Sequence, residues 1–130
     1  MSAEEAPVEL VDNRERGRFE IRHEGKVIGL AAYAVVPASE SEPERVVFFH
    51  TEVKPEYEGQ GLAGRLAAHA LDSTIAAGRT IVAVCPYIKV YVRRHAEQYA
   101  AHVSHPTPAD VTAVNRAADA LAARGSGPAE

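Results

Sequence analysis

A single cysteine, Cys85, stands in 130 residues. With no second thiol there is no internal disulfide, and a reducing, cytoplasmic setting is the expectation. One thiol is also too few for a structural zinc site, and His23, His69, His102 and His105 show no spacing that joins a pair to a third ligand; no metal is expected. Positive charge is scarce: 14 Lys and Arg face 18 Asp and Glu, a formal net charge of −4. No basic stripe interleaved with aromatics runs along the chain, and the net charge argues against nucleic acid as the main partner. Apolar runs fall short of the ~20 residues that a membrane helix needs, and the start, Met-Ser-Ala-Glu-Glu, has no leader character. No serine sits in a nucleophile-elbow context. The remaining composition is that of one soluble domain, with a monomer as the default. A chain of this size buries roughly two thirds of its unfolded surface.

Strands come first. Residues 8–11 suit a short strand, and residues 1–7 read as a frayed end. Phe19 and Ile21 alternate with charged residues, the pattern of a half-buried strand. The run His-Glu-Gly-Lys at 23–26 is a hairpin turn. Residues 27–36 and 46–53 form two longer strands around a Pro- and Ser-rich loop. Leu62, Leu66, Ala70, Leu71 and Ile75 recur at helical spacing up to Gly78, a stop signal. Residues 80–84 are β-branched and strand-like, and Pro86 opens a helix that carries Ile88, Tyr91, Val92, His95 and Tyr99 on one side. Thr107, Pro108 and Asp110 mark another helix start. An alanine-rich helix follows to Arg124, and the tail 125–130 reads as disordered. Strand 46–53, helix 61–77 and strand 80–84 make a βαβ unit, so its two strands should be parallel. The fold class is α+β with a mixed, mostly antiparallel sheet flanked by helices.

The most telling stretch is 53–66, Val-Lys-Pro-Glu-Tyr-Glu-Gly-Gln-Gly-Leu-Ala-Gly-Arg-Leu. A strand ends, a turn follows, and glycines lead straight into a helix. The first amides of a helix have no internal partner. Beside glycines that let the backbone come close, they form a cradle for a diphosphate. Gly59, Gln60, Gly61, Leu62, Ala63 and Gly64 supply the amides, and Arg65 adds a charge.

The segment Glu-Gly-Gln-Gly-Leu-Ala at 58–63 resembles the Arg/Gln-x-x-Gly-x-Gly/Ala signature of GNAT N-acetyltransferases. His-Thr-Glu-Val at 50–53 and Cys-Pro-Tyr at 85–87, followed by Tyr91 and His95, are similar to a short single-domain branch of that superfamily. The resemblance covers roughly residues 8–103, with 104–130 as a helical extension and tail. The signature's first position is usually Arg or Gln; Glu58 stands there. The resemblance implies acetyl-CoA as the coenzyme, and a splayed pair of parallel strands, with the pantetheine arm between Val53 and residues 84–85. The thioester is then expected near Cys85 and Tyr91.

Each candidate has a plain alternative. Cys85 is a small buried hydrophobe, or a thiol at a helix N-terminus that touches the thioester, aids proton transfer or carries the acyl group. His50 and Glu52 share one strand face. Either takes a proton from an ammonium, or His50 is a satisfied core histidine and Glu52 a solvated carboxylate. Tyr87 and Tyr91 are one helical turn apart; one protonates the leaving thiolate, as a tyrosine does in larger relatives, or both are core aromatics. The expected function is acetyl transfer from acetyl-CoA to a small amine or a lysine-containing acceptor, the acidic surface favouring a cationic one. The alternatives are a CoA-binding module with little turnover, and an interaction domain that docks through residues 106–124.

Overall fold

The structure, a computed structural model, describes residues 7–123. The expected tail at 125–130, and all but Pro7 of the expected frayed end, lie outside that range. Six strands run in chain order across one sheet: β1 (Glu9–Asn13), β2 (Arg18–His23), β3 (Lys26–Val36), β4 (Arg45–Val53), β5 (Thr80–Ala83) and β6 (Val103–Ser104). The first four are antiparallel neighbours. The pairs β4–β5 and β5–β6 are parallel. The fold is therefore mixed α+β, mostly antiparallel, with helices on both faces. The short β6 adds a second parallel pair that has no clear pattern in the sequence, and it spans the expected domain break after residue 103.

Local chemistry sets each connection. The β2–β3 hairpin turns on Glu24 (φ 53°) and Gly25 (φ 81°), two left-handed residues whose twist matches the flanking strands. Helix α1 (Leu62–Ala76) buries Leu62, Leu66, Ala67, Ala70 and Leu71 on one stripe. It stops at Gly78 (φ 75°), whose amide returns to the Ile75 carbonyl at 2.9 Å. Helix α2 (Pro86–Arg94) begins with Pro86 just inside Cys85. It does not run on to Tyr99 as the apolar spacing suggests. His95 leaves helical geometry (φ −118°, ψ 44°) and a separate turn, α3 (Ala96–Tyr99), follows. The reason is local: the His95 ring folds back to donate from Nδ1 to the Tyr91 carbonyl (2.9 Å).

The main core lies between the sheet and α1, α2 and α3. Phe19, Ile21, Tyr33 and Phe48 meet Leu66, Leu71, Ile88 and Tyr99 there. On the other face, α4 (Pro108–Ala123) places Ala113, Val114 and Ala117 on Ala34, Val47 and Val82. The helix that a partner-docking reading assigned to another molecule thus covers its own sheet. Its start is a capping box: the Asp110 amide donates to Thr107 Oγ1 (3.2 Å), and the Thr107 amide to Asp110 Oδ2 (2.8 Å). Arg45 on β4 forks onto the buried Asp110 carboxylate at 3.0 and 2.7 Å. Those hydrogen bonds hold the Asp110 carboxyl below the usual carboxylate range.

β2 departs from the half-buried pattern. Its charged side is buried too, with Glu20 only 1% exposed. Arg18 Nε (2.6 Å), Arg22 Nη2 (2.5 Å) and Asn13 Nδ2 (3.0 Å) all donate to its carboxylate. Burial alone would raise its pKa; the donors outweigh that and lower it. Among the described residues no helix is long and apolar enough to cross a membrane.

Candidate functional site

β4 is the strand on which the site is built. Ala32 pairs with His50 but Tyr33 pairs with Phe48, so Phe49 is an extra residue, a β-bulge. Pairing between β4 and β5 stops at the same place, with Phe48 opposite Ala83. The amides of Val84 and Cys85 then both donate to the Phe48 carbonyl, at 2.9 Å each. Beyond that point β4 continues from Phe49 to Val53 with β3 on one side only. Half of the strand thus presents an open backbone edge, as a pantetheine arm requires.

At the end of that edge the chain makes a single 3-10 turn, Pro55–Tyr57, and enters the glycine loop. Gly59 (φ 83°) and Gly61 (φ 76°) are left-handed, a conformation costly to any residue with a Cβ. Gly61 is the N-cap of α1 and no side chain caps the helix there. The amides of Leu62, Ala63 and Gly64 precede the first helical bond, from the Arg65 amide to the Gly61 carbonyl (3.2 Å). No acidic residue lies in the first turn. A Cβ added at Gly59 or Gly61 would meet no atom within 4 Å; the approach to these amides is open. Gln60 is half-buried, Arg65 is exposed in the first turn, and Glu58 is exposed in the loop before the helix. These features fit a diphosphate.

The catalytic candidates fall into two groups on opposite faces of β4. Thr51 faces the main core, where its Oγ1 lies 3.3 Å from Cys85 Sγ. Cys85 is 4% exposed and joined to that hydroxyl, so it is a held thiol rather than an open one. Tyr87 and Tyr91 are on this side, ring centroids 6.2 Å apart. Tyr91 stacks on His95 at 4.3 Å, and the Nδ1 bond described above fixes that imidazole with its proton on Nδ1. Burial raises the pKa of both phenols, so each keeps its proton at neutral pH. Tyr87 is the more open of the two, at 39% exposure.

His50 and Glu52 project from the opposite face, as strand alternation after the bulge demands. Both are exposed, and His50 Nε2 lies 2.8 Å from Glu52 Oε1. A cavity of about 400 Å³ opens beside Glu52, lined also by Arg18, Lys26, Leu30 and Lys54. Two features are absent from the sequence reading. Thr51 is skipped although it lies inside the His-Thr-Glu-Val run; its period-2 opposition to His50 was the available signal. The Arg18 contribution needs the cross-strand register, which no local pattern gives. Among the described residues no group of three His, Cys, Asp or Glu side chains is placed to hold a metal.

A protein-family model, the GCN5-related N-acetyl-transferase, matches residues 18–103. The chain belongs to that family. Among solved structures, this GCN5-related chain is similar to the ribosomal-protein-alanine N-acetyltransferase of Brucella melitensis biovar Abortus 2308, at 19% identity and a TM-score of 0.46. The match covers 65% of this chain and 64% of that one, so the chain spans under two thirds of its length. No curated protein matches the chain. The family segment runs from Arg18 to Val103, and so holds β2 to β5, α1, α2 and every candidate above.

Proposed function

We propose that the chain is an acetyl-CoA-dependent N-acetyltransferase that moves an acetyl group to an amine by direct attack. One observation carries this reading: the open edge of β4 runs into an uncapped helix N-terminus, in a chain of the GCN5-related family. The amides of Gly59, Gln60, Gly61, Leu62, Ala63 and Gly64 hold the diphosphate, with Arg65 beside them. The β4 edge up to Val53 hydrogen-bonds the pantetheine arm. The bound coenzyme supplies the activated acetyl group.

The remaining chemistry is proton movement. Nε2–H of His50 donates to Glu52, which leaves Nδ1 with a lone pair to take a proton from the acceptor ammonium. Glu52 orients the ring, much as a carboxylate orients a catalytic imidazole elsewhere. On the opposite face, the still-protonated Tyr91 gives a proton to the departing thiolate. The His95 stack fixes its ring, and Tyr87 screens it from water. Cys85 positions Thr51 and carries no acyl group, since its sulfur is buried and already hydrogen-bonded.

Titration calorimetry with acetyl-CoA and CoA, followed by thiol release with an amine panel, tests this reading. Heat on titration and amine-dependent thiol release are expected. Binding without release leaves a coenzyme-binding module, and the absence of heat removes the coenzyme altogether.

A further inference from the structure

The cavity beside Glu52 carries a charge pattern opposite to that of the whole chain. Its nine lining residues include three cations, Arg18, Lys26 and Lys54, against the single carboxylate of Glu52. The formal charge of the chain is −4. Lys26 and Lys54 are exposed at the rim, but Arg18 is only 8% exposed and is held in place. Its Nε–H is committed to Glu20 at 2.6 Å, and Glu20 is in turn held by Arg22 and Asn13. The guanidinium plane is therefore fixed, and its two terminal amino groups make no hydrogen bond to a described residue. A parallel pair of N–H groups on a fixed plane matches a carboxylate better than any other common group.

The register relates this cation to the proton acceptor. Arg18 pairs with Ala32, and Ala32 pairs with His50. The adjacent row runs from Glu20 through Leu30 to Glu52. One strand separates β2 from β4, a span of about 10 Å. A short aliphatic chain laid over Leu30 would bring one end to Arg18 and the other to the His50–Glu52 pair.

We infer that the amine acceptor is a small amino acid, with its carboxylate on Arg18, its amine at His50 and Glu52, and Lys54 adding to the positive field of the same cavity. This rests on the acetyltransferase reading for the reaction, though not for the binding. The step balances: the ammonium gives one proton to His50, the neutral amine nitrogen forms a bond to the acetyl carbon, the carbon–sulfur bond breaks, the thiolate takes a proton from Tyr91, and the second amine proton leaves to solvent, which restores Tyr91 and takes the proton from His50. On this inference the acceptor carries a carboxylate beside its ammonium, unlike the purely cationic acceptor that the net charge favours.

The test uses matched amines over a series of short chain lengths: the plain alkylamine, the diamine and the amino acid. Each is titrated into the CoA-saturated chain and followed by amide chemical shifts, and each is then assayed for thiol release from acetyl-CoA. The amino acid is expected to bind roughly tenfold or more tightly than its matched amines, with shifts at Arg18 and Leu30. Lys54→Gln, at an exposed position, reduces that preference severalfold with coenzyme binding unchanged. Arg18→Lys, which keeps the charge but loses the fork, reduces it further. If plain amines or diamines bind as well as the amino acids, the inference is overturned, whatever the turnover. Failure of acetyl-CoA to bind would instead overturn the reaction, and the binding comparison would still decide the anion site.

Discussion

Gly64 offers a way to separate what α1 needs from what its ligand needs. It lies in the first turn of the helix with ordinary helical geometry, unlike Gly59 and Gly61. Folding gains nothing from a glycine there, since alanine loses less backbone entropy on entering a helix. A Cβ at position 64 would meet Tyr87 Oη at 3.9 Å, an ordinary contact that requires no repacking. Gly64→Ala should therefore stabilise the free chain by about 0.5 kcal/mol, the lower end of the Gly-to-Ala range because the site is in the first turn. For a domain of this size that is a rise of roughly 2 °C in Tm. The coenzyme reverses the sign. If the diphosphate comes within van der Waals distance of the first turn, the added methyl occupies its space. The upward shift in Tm that saturating acetyl-CoA gives the wild type should then shrink sharply in the variant. Differential scanning fluorimetry with and without acetyl-CoA reads both effects in one plate. A variant whose coenzyme shift equals that of the wild type would show that nothing binds against Gly64, and the cradle would be refuted. A free-chain Tm that falls would refute the helix accounting.

Gly61→Ala should behave oppositely, because at φ 76° the methyl is strained even in open space; about 1–2 kcal/mol is lost, and chemical denaturation will show a lower midpoint with an unchanged slope. Asp110→Ala strips Arg45 of its buried partner and should cost about 3–5 kcal/mol. The same pair gives a pH signature. Asp110 has a folded pKa below its ordinary value of 3.8, so the stability it adds is complete above that value and drains away as acid carries the pH down through the lowered one. Acid titrations of wild type and variant should therefore differ most above pH 4 and converge below it. Tyr91→Phe should slow thiol release by ~10²–10⁴-fold if the phenol is the proton donor, with coenzyme binding kept. Cys85→Ala should slow it only a few fold, and intact mass measured during turnover should show no acetylated chain.

The legible parts of this molecule were those with local causes. The hairpin at Glu24 and Gly25, the helix stop at Gly78, the capping box of Thr107 and Asp110, and the strand–loop–helix around Gly61 each depend on residues within a few positions of one another. So did the βαβ unit, because a short crossover leaves one handed solution. Four features needed register or three-dimensional neighbours. The bulge at Phe49 depends on how β3 pairs, which β4 does not encode by itself. The break at His95 depends on a ring that turns back on its own helix, invisible to apolar spacing. β6 is too short to leave a pattern. The burial of Arg18, Glu20 and Arg22 reads as a solvated strand face until the charges are seen to satisfy one another. For the site, the glycine loop was local and legible, whereas the separation of Tyr91 from His50 by the thickness of the sheet was not.

The extra residue at position 49 acts as a spatial frameshift. Straighten the bulge with Phe49 kept in the ladder and every side chain from His50 to Val53 changes side: the imidazole and Glu52 would turn toward the main core, and Thr51 would lose its thiol and look outward. By this single insertion His50 and Tyr91, the proton acceptor and donor of the proposed mechanism, stand on either side of one ribbon. On the proposed mechanism the reacting centre is then confined to the one edge that both can reach, and the length of this strand, more than the identity of any one side chain, is the feature on which that chemistry turns.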